Sequence, residues 1–255
     1  MKKYFLGLAA IAAIALAFNY QQKPTLYMVG DSTMHNDNKE LWGWGTTIAD
    51  QMDSTKITVV NSAQAGRSTR SYTREGRWAK VAAALKPGDF VIMGFGHNEG
   101  SKVDTAKKDG DRGVLRGIGE DSVTLNWANK PAEVVHSYGW YLRKFIREAK
   151  AKGANPIVVS MIPRREWGSD GKIVLANKDF GLWAMQVAQQ EGVPFVDLNG
   201  ITAEKYNKLT HDEVFALFGK DHTHTNKAGA VINAQSFVDG LKQQPNVSLN
   251  NYLKK

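Results

Sequence analysis

Short apolar runs alternate along the chain with longer, helix-like stretches. Apolar runs of about five residues that are bounded by turn residues predict buried strands. When such strands alternate with helices, the pattern is typical of a parallel sheet with crossover helices. The five strands expected on this basis are Thr25–Val29, Ile57–Asn61, Asp89–Met93, Pro156–Ser160 and Val193–Asp197.

Helices are expected between these strands and after the last of them. Several of these segments end at turn-forming residues, such as Pro87-Gly88, Gly153 and Gly192. Five strands joined by crossover helices predict one α/β domain in which a parallel sheet is flanked by helices. The predicted helices are Trp44–Met52, Thr73–Leu85, Pro131–Lys152, Asn177–Glu191 and Asn226–Leu241.

The beginning of the chain has the layout of a secretory signal peptide. Lys2 and Lys3 precede an apolar run from Tyr4 to Ala17, which closes with small residues at Ala15 and Ala17. This run is shorter than the roughly 20 residues that a permanent membrane helix needs, so we expect export to a periplasm or to the exterior without a stable anchor. The expected organisation is a signal peptide at 1–17, a linker at 18–24, one main α/β domain at 25–243 and a peripheral tail at 244–255.

The amino-acid composition restricts which nucleophiles, metal sites and binding partners are possible. The chain has no cysteine, which excludes disulfides, thiolate nucleophiles and cysteine-bound metals. Its net charge of +8 falls to +6 if Lys2 and Lys3 are removed, and this surplus favours anionic partners. Because export and the absence of a long basic tract argue against nucleic acid, we expect an acidic polysaccharide, with a merely solubilising surface charge as the alternative.

Candidate chemistry follows the strands, because ligands of open parallel sheets bind at the carboxyl ends of the strands. The fourth predicted strand leads into Met161-Ile162-Pro163, which suggests no catalytic group. The other polar blocks are Gly30-Asp31-Ser32 after the first strand, Asn61–Ser68 after the second, Gly96-His97-Asn98-Glu99 after the third, and Asp221–Asn226 before the last helix.

These blocks, in this order, resemble those of the SGNH hydrolases, also called GDSL-like esterases. The Gly66-Arg67-Ser68, Gly96–Glu99 and Asp221-x-Thr223-His224 blocks are similar to the rhamnogalacturonan acetylesterase branch, although that branch often has Asp at the position of Glu99. The resemblance implies a three-layer, flavodoxin-like fold and deacetylation of a pectic polysaccharide without a cofactor. It also implies an oxyanion hole made by the amides of Ser32 and Gly66 and the side chain of Asn98.

Within this resemblance, the roles of three residues follow from their chemistry. Ser32 requires a base, since a serine hydroxyl is a poor nucleophile at neutral pH. His224 can act as that base, and Asp221, three residues earlier, can hold the imidazole in the required tautomer. Asp31 is expected to shape the loop, because its neighbour carries the nucleophile.

Cationic and aromatic residues could line a sugar cleft near this site. Arginine suits bidentate contact with a uronate carboxylate. The alternative is that the tryptophans pack in the core and the arginines are solvated. We also expect the long connection from Gly94 to Lys130 to form a wall of the cleft. The candidate substrate-binding residues are Arg67, Arg70, Arg74, Trp42 and Trp44.

Three other functions remain open at this point. A metal-dependent phosphoesterase is suggested by Gly30-Asp31, Gly96–Glu99 and His222-Thr223-His224. However, the block at 96–99 reads His-Asn where that class has Asn-His, the chain has no Asp-x-His motif, and a complete ligand set is not evident, so we expect no metal. An esterase for another acetylated polysaccharide, such as xylan, and a carbohydrate-binding protein without turnover would share the same residues.

Overall fold

The computed structural model describes residues 23–36, 38, 40–104, 112–128 and 130–255. The expected signal peptide and linker residues 18–22 lie outside this range. Within it, no helix is both long and apolar enough to cross a membrane.

A five-stranded parallel sheet forms the centre of the domain, in the order β2 (Thr58–Asn61), β1 (Thr25–Gly30), β3 (Phe90–Gly94), β6 (Asn155–Val159) and β7 (Phe195–Val196). A separate two-stranded antiparallel hairpin, β4-β5, lies within the segment that connects β3 to the next helix. This arrangement confirms the predicted α/β fold class. The strands are β1 Thr25–Gly30, β2 Thr58–Asn61, β3 Phe90–Gly94, β4 Ser122–Leu125, β5 Glu133–His136, β6 Asn155–Val159 and β7 Phe195–Val196.

Helices cover both faces of the sheet. The α-helices are α1 Trp44–Thr47, α2 Thr69–Arg74, α3 Arg77–Ala84, α4 Tyr138–Ala151, α5 Asp179–Gln190, α6 Leu198–Tyr206, α7 His211–Phe215 and α8 Lys227–Lys242. Short 3-10 helices follow α1, at Ile48–Gln51, and lie near the C-terminus, at Ser248–Tyr252.

The three layers follow from the two-residue period of the strands, which sends alternate side chains to opposite faces. In β3, Phe90 and Ile92 pack against α1, α8 and the C-terminal 3-10 helix, while Val91 and Met93 pack against α2, α3, α4 and α5. The expected peripheral tail contributes Leu249, which is fully buried, to the first of these clusters. The tail is therefore part of the packed domain.

Two of the predicted helices are wrong in extent. The Thr73–Leu85 helix is two helices, because Gly76 has a left-handed backbone, with φ +69°, at the start of α3. The helix predicted from Pro131 begins at Tyr138, because Glu133–His136 pairs with β4 instead. Ser137 is the N-cap of this helix, and its side chain accepts a hydrogen bond from the Trp140 amide in the first turn.

The fifth strand is shorter than expected, and a helix begins directly after it. The strand covers only two residues, Phe195–Val196. Asp197, which was assigned to the strand, is the N-cap of α6, and its side chain accepts a hydrogen bond from the Gly200 amide at 3.0 Å.

The strand order reverses between β1 and β3, and this is the position at which open α/β sheets bind ligands. Gly30 and Gly94 are paired neighbours at the carboxyl ends of these two strands. The loops that leave the two strands carry Ser32 and Asn98, respectively. The fold therefore brings the first and third sequence blocks to one edge of the sheet.

Candidate active site

The loop after β1 presents Ser32 to a cleft at this edge. Asp31, just before it, is 1% exposed, and its Oδ1 accepts hydrogen bonds from the amide and hydroxyl of Thr33 at 2.9 and 2.8 Å. The Asp31 carbonyl accepts further bonds from the amides of Met34 and His35. Asp31 thus closes a tight turn, as expected for a loop-shaping residue.

The loop before α8 carries Asp221 and His224 and is tied to the serine loop. Phe218 and Thr225 form an antiparallel bridge across its base. The Trp42 amide donates to the Thr225 carbonyl at 2.8 Å, and the Thr225 hydroxyl donates to the Trp42 carbonyl at 3.0 Å. These bonds fix the two loops against each other.

Ser32, His224 and Asp221 form a continuous hydrogen-bonded series. The Ser32 Oγ lies 2.8 Å from His224 Nε2, and His224 Nδ1 lies 2.7 Å from Asp221 Oδ2. Burial raises the pKa of Asp221, but hydrogen bonds from the His224 ring and from the amides of His224 and Thr223 outweigh this effect and lower the pKa to about 2. The ionised carboxylate favours the tautomer with its proton on Nδ1, which leaves Nε2 as a base facing Ser32.

Three donors that could stabilise an oxyanion line the same cleft. Gly66 has a left-handed backbone, with φ +73°, which suits glycine. Among the described residues, the amides of Ser32 and Gly66 donate no hydrogen bond to another group. Asn98 Nδ2 donates to the Arg67 carbonyl at 3.0 Å, and Arg112 donates to Asn98 Oδ1 at 3.3 Å, so the Asn98 amide group is oriented and retains one N–H for a ligand.

Glu99 links the loop of Asn98 to the segment that follows Gly66. Its side chain is fully buried; Oε1 accepts a hydrogen bond from the Thr69 amide at 2.7 Å, and Oε2 accepts one from the Asn98 amide at 3.1 Å. Thr69 opens α2, shortly after Gly66. Burial raises the pKa of Glu99 to about 8, and the nearby charge of Asp31 adds to this effect.

The cleft, of about 390 Å³, also contains residues that sequence reasoning missed. Arg112, Arg164 and Thr223 line it beside Ser32 and His224. Arg112 belongs to the long connection after β3, and it lines the cleft together with His97 and Asn98 of the same connection. Arg164 follows β6, whose exit was expected to contribute nothing. The carboxyl ends of all parallel strands lie at one edge of the sheet. The loop after β6 could therefore have been predicted to reach the cleft if it had been followed one residue beyond Pro163.

The structure does not bring the three predicted arginines to the cleft. Arg70 is 1% exposed and forms a bidentate pair with Glu133, at 2.9 and 2.7 Å. Arg74 lies 3.6 Å from the same carboxylate, and Arg67 pairs with Glu75 at 3.0 Å. The prediction that Arg70 binds substrate is therefore wrong, because its side chain is buried in an ion pair. Arg67 and Arg74 are paired with carboxylates outside the cleft.

The two predicted tryptophans also lie outside the cleft. Trp44 is 2% exposed and stacks on Phe237, with ring centroids 5.5 Å apart, so it is a core residue. Trp42 is half-buried, with Lys227 Nζ 5.0 Å from its ring centroid, and its backbone holds the histidine loop. Neither ring has the position expected of a sugar platform in this cleft.

His222, which suggested a metal site, is engaged by charged side chains. Its Nδ1 lies 3.3 Å from Glu166 Oε1 and its Nε2 lies 3.0 Å from Arg164 Nη1. Within the described part of the chain, no group of three or more His, Cys, Asp or Glu side chains could hold a metal ion.

Comparison with known families and proteins agrees with this geometry. The profile of the GDSL-like lipase/acylhydrolase family matches residues 28–232. A rhamnogalacturonan acetylesterase of Emericella nidulans is 36% identical over 217 residues, which are 85% of this chain and 84% of that protein. The rhamnogalacturonan acetylesterase RhgT of Bacillus subtilis is 25% identical over 86% of this chain and 89% of its own. The resemblance found in the sequence is thereby confirmed.

Solved structures with the same fold include the Bacillus subtilis protein YxiM, with a TM-score of 0.71 and 24% identity. The match covers 89% of this chain and 58% of the YxiM chain. The acetylxylan esterase Axe2 of Geobacillus stearothermophilus matches with a TM-score of 0.57 and 18% identity, over 86% of this chain and 94% of that protein. At these sequence identities, the similarity to YxiM and Axe2 shows only that the fold is shared.

Glu99 should make stability fall as the pH rises. Its pKa is raised from an ordinary value of 4.5 to about 8 in the folded protein, so its stabilising contribution is complete below pH 4.5 and is lost as the pH rises through 8. We expect Glu99→Gln to flatten the fall in unfolding free energy between pH 5 and pH 9, measured by urea denaturation. The exposed Glu204→Gln is the control and should follow the wild type; an unchanged slope in Glu99→Gln would contradict this prediction.

Proposed function

The chain belongs to the GDSL-like lipase/acylhydrolase family and is a carboxylic ester hydrolase; we propose that it removes acetyl groups from a pectic polysaccharide outside the cytoplasm. The observation that carries the proposal is the hydrogen-bonded series from Ser32 through His224 to Asp221, at the edge of an open cleft. The substrate follows from the relatives named as rhamnogalacturonan acetylesterases, at up to 36% identity, and from the positive charge of the chain.

In the proposed mechanism, Ser32 Oγ attacks the acetyl carbonyl carbon while His224 Nε2 accepts the hydroxyl proton. The tetrahedral intermediate collapses when the sugar oxygen leaves and takes this proton from His224. Water then attacks the carbonyl carbon of the acetyl-Ser32 ester while His224 accepts a proton from it. The second tetrahedral intermediate releases acetate when Ser32 Oγ leaves and takes this proton back from His224. Asp221 remains ionised, as its low pKa favours, and stabilises the imidazolium that forms in each step.

The negative charge on the carbonyl oxygen would be stabilised by the amides of Ser32 and Gly66 and by the side chain of Asn98. These donors are fixed before substrate binds, so little reorganisation is needed when charge develops. Loss of one such donor lowers turnover by about 100- to 1,000-fold in comparable sites.

Acetylxylan is the second candidate substrate, because a structural neighbour is an acetylxylan esterase. That neighbour is 18% identical, whereas the rhamnogalacturonan acetylesterase relative is twice as similar in sequence. Pectic backbones also carry uronate carboxylates, which suit a cationic protein better than neutral xylan does. These two arguments favour the pectic substrate.

The proposed roles of Ser32, His224 and Asp221 predict that their substitution lowers esterase activity to different extents. Ser32→Ala and His224→Ala should each abolish hydrolysis of p-nitrophenyl acetate, whereas Asp221→Ala should retain measurable turnover because the aspartate orients the base and does not attack. Ser54→Ala, at an exposed position, is the matched control and should keep full activity. Wild-type turnover in folded Ser32→Ala, or activity lost in EDTA and restored by zinc, would refute the serine mechanism.

The proposed substrate predicts a preference that depends on ionic strength. Acetate release from acetylated rhamnogalacturonan should exceed that from acetylxylan of equal acetyl content, measured as initial rates at low salt. The preference should shrink at high salt, because exposed charges are screened over about 8 to 10 Å at ordinary ionic strength. An equal or faster rate on acetylxylan at low salt would remove the pectic assignment and leave the serine mechanism intact.

Export is proposed from the sequence alone. The small residues Ala15 and Ala17 suit signal peptidase, so the exported protein should begin near Phe18. Mass spectrometry of protein recovered outside the cytoplasm of the expressing cells tests this directly. Exported material that still carries Met1 would show that the segment is retained.

A further inference from the structure

A second cleft adjoins the one that contains Ser32. It has a volume of about 400 Å³, and the two clefts share His97 and Arg164 as lining residues. Val174 and Leu175, which are 46% and 43% exposed, form part of its wall. Together the clefts make one groove, longer than a single acetylated sugar needs, with an apolar side on which the C–H face of a sugar ring can pack.

The second cleft is held in place by a buried asparagine. Asn199 is 3% exposed; its Nδ2 donates to the Met161 carbonyl at 3.0 Å, and its Oδ1 accepts from the Ala176 amide at 2.9 Å. Met161 and Ala176 both line the cleft, so one side chain fixes two of its walls. A binding site formed in advance loses less entropy when its ligand binds.

Backbone strain marks the same cleft. Asp179, in its wall, has φ +49°, and among the described residues it is the one non-glycine residue with a left-handed backbone. Arg116 pairs with its carboxylate at 2.5 Å. Strained backbone of this kind is concentrated at functional sites, because the cost is retained only where the conformation is needed.

Arg164 stands at the junction of the two clefts with most of its donors unused. One guanidinium nitrogen contacts the ring of His222 at 3.0 Å, and within the described part of the chain no carboxylate lies at ion-pair distance. The arginines after β2, in contrast, are engaged by Glu75 and Glu133. The guanidinium has five N–H donors in a fork that matches a carboxylate, so this group is suited to an anion that enters with the ligand.

We infer that Arg164 binds the carboxylate of the uronate residue that carries the acetyl group, and that the next sugar of the polymer occupies the second cleft. The inference rests on the proposed function, since it names how that site selects its polymer. A neutral acetylated sugar, such as xylose, would leave the cation without a partner. A long acyl chain in the cleft would place apolar carbon against the guanidinium, which desolvates a charge without compensation.

The test compares acetylated rhamnogalacturonan with the same polymer after its carboxylates have been converted to neutral amides. Each kcat/KM for acetate release is divided by the value of the same protein on p-nitrophenyl acetate. In the wild type the normalised value should fall about tenfold to 100-fold on the neutral polymer, the range expected for charge-assisted hydrogen bonds. Arg164→Gln should show the low value on both polymers, and Arg164→Lys should recover part of the difference.

Arg147→Gln is the matched control, because Arg147 lines neither cleft and pairs with Glu191 on the surface. It removes the same charge and should keep the wild-type ratio between the two polymers. If Arg147→Gln lost the preference as Arg164→Gln does, general attraction would explain it and the inference would fail.

Other outcomes would overturn the inference in distinguishable ways. Equal normalised rates on both polymers in the wild type, or an unchanged preference in Arg164→Gln, would exclude carboxylate recognition while the esterase proposal stands. A preference for p-nitrophenyl octanoate over the acetate would assign the second cleft to an acyl chain. Hydrolysis of p-nitrophenyl acetate with no acetate released from either polymer would overturn the proposed pectic substrate and this inference together.

Discussion

The close contact between the carboxyl ends of β1 and β3 is the constraint on which the site depends. Gly30 pairs with Gly94, and a side chain at Gly30 would meet the Gly94 carbonyl oxygen at 2.5 Å. The strand order reverses at this point, so the two loops diverge and leave a crevice. Ser32 and Asn98 come from these loops. The packing of the sheet backbone therefore sets the spacing of the proposed nucleophile, Ser32, and one proposed oxyanion donor, Asn98.

Hydrogen bonds between loops hold the other residues of the proposed active site in position. Trp42 and Thr225 join the serine and histidine loops through two backbone-directed bonds, and Glu99 joins the loop of Asn98 to the start of α2. Buried polar groups must be hydrogen-bonded to be tolerated, so each of these ties is also a condition for folding. Stability and the geometry of the site therefore share the same contacts, and a substitution at Glu99 affects both.

Cationic residues divide into two groups according to their partners. Arg70, whose side chain is buried, is neutralised by Glu133 on the hairpin strand β5, so its charge serves to hold that hairpin against α2. Arg164 has the ring of His222 and no described carboxylate. A charge that is already paired adds little attraction for a ligand, whereas an unpaired one at the edge of a cleft gains a partner when an anion binds. Net charge alone does not make this distinction.

The sequence by itself determined the fold class, the order of the five strands along the chain and the identity of the polar blocks, since strand periodicity and turn chemistry are local properties. Those same blocks lie at the strand ends where a parallel sheet binds ligands. The structure alone decided that Ser32 meets His224, 192 residues away, at 2.8 Å. It also placed Arg70 in an ion pair, Trp44 in the core and Arg164 at the cleft. Whether a side chain is paired, buried or open depends on partners that only the packed chain brings near, and no local pattern records them.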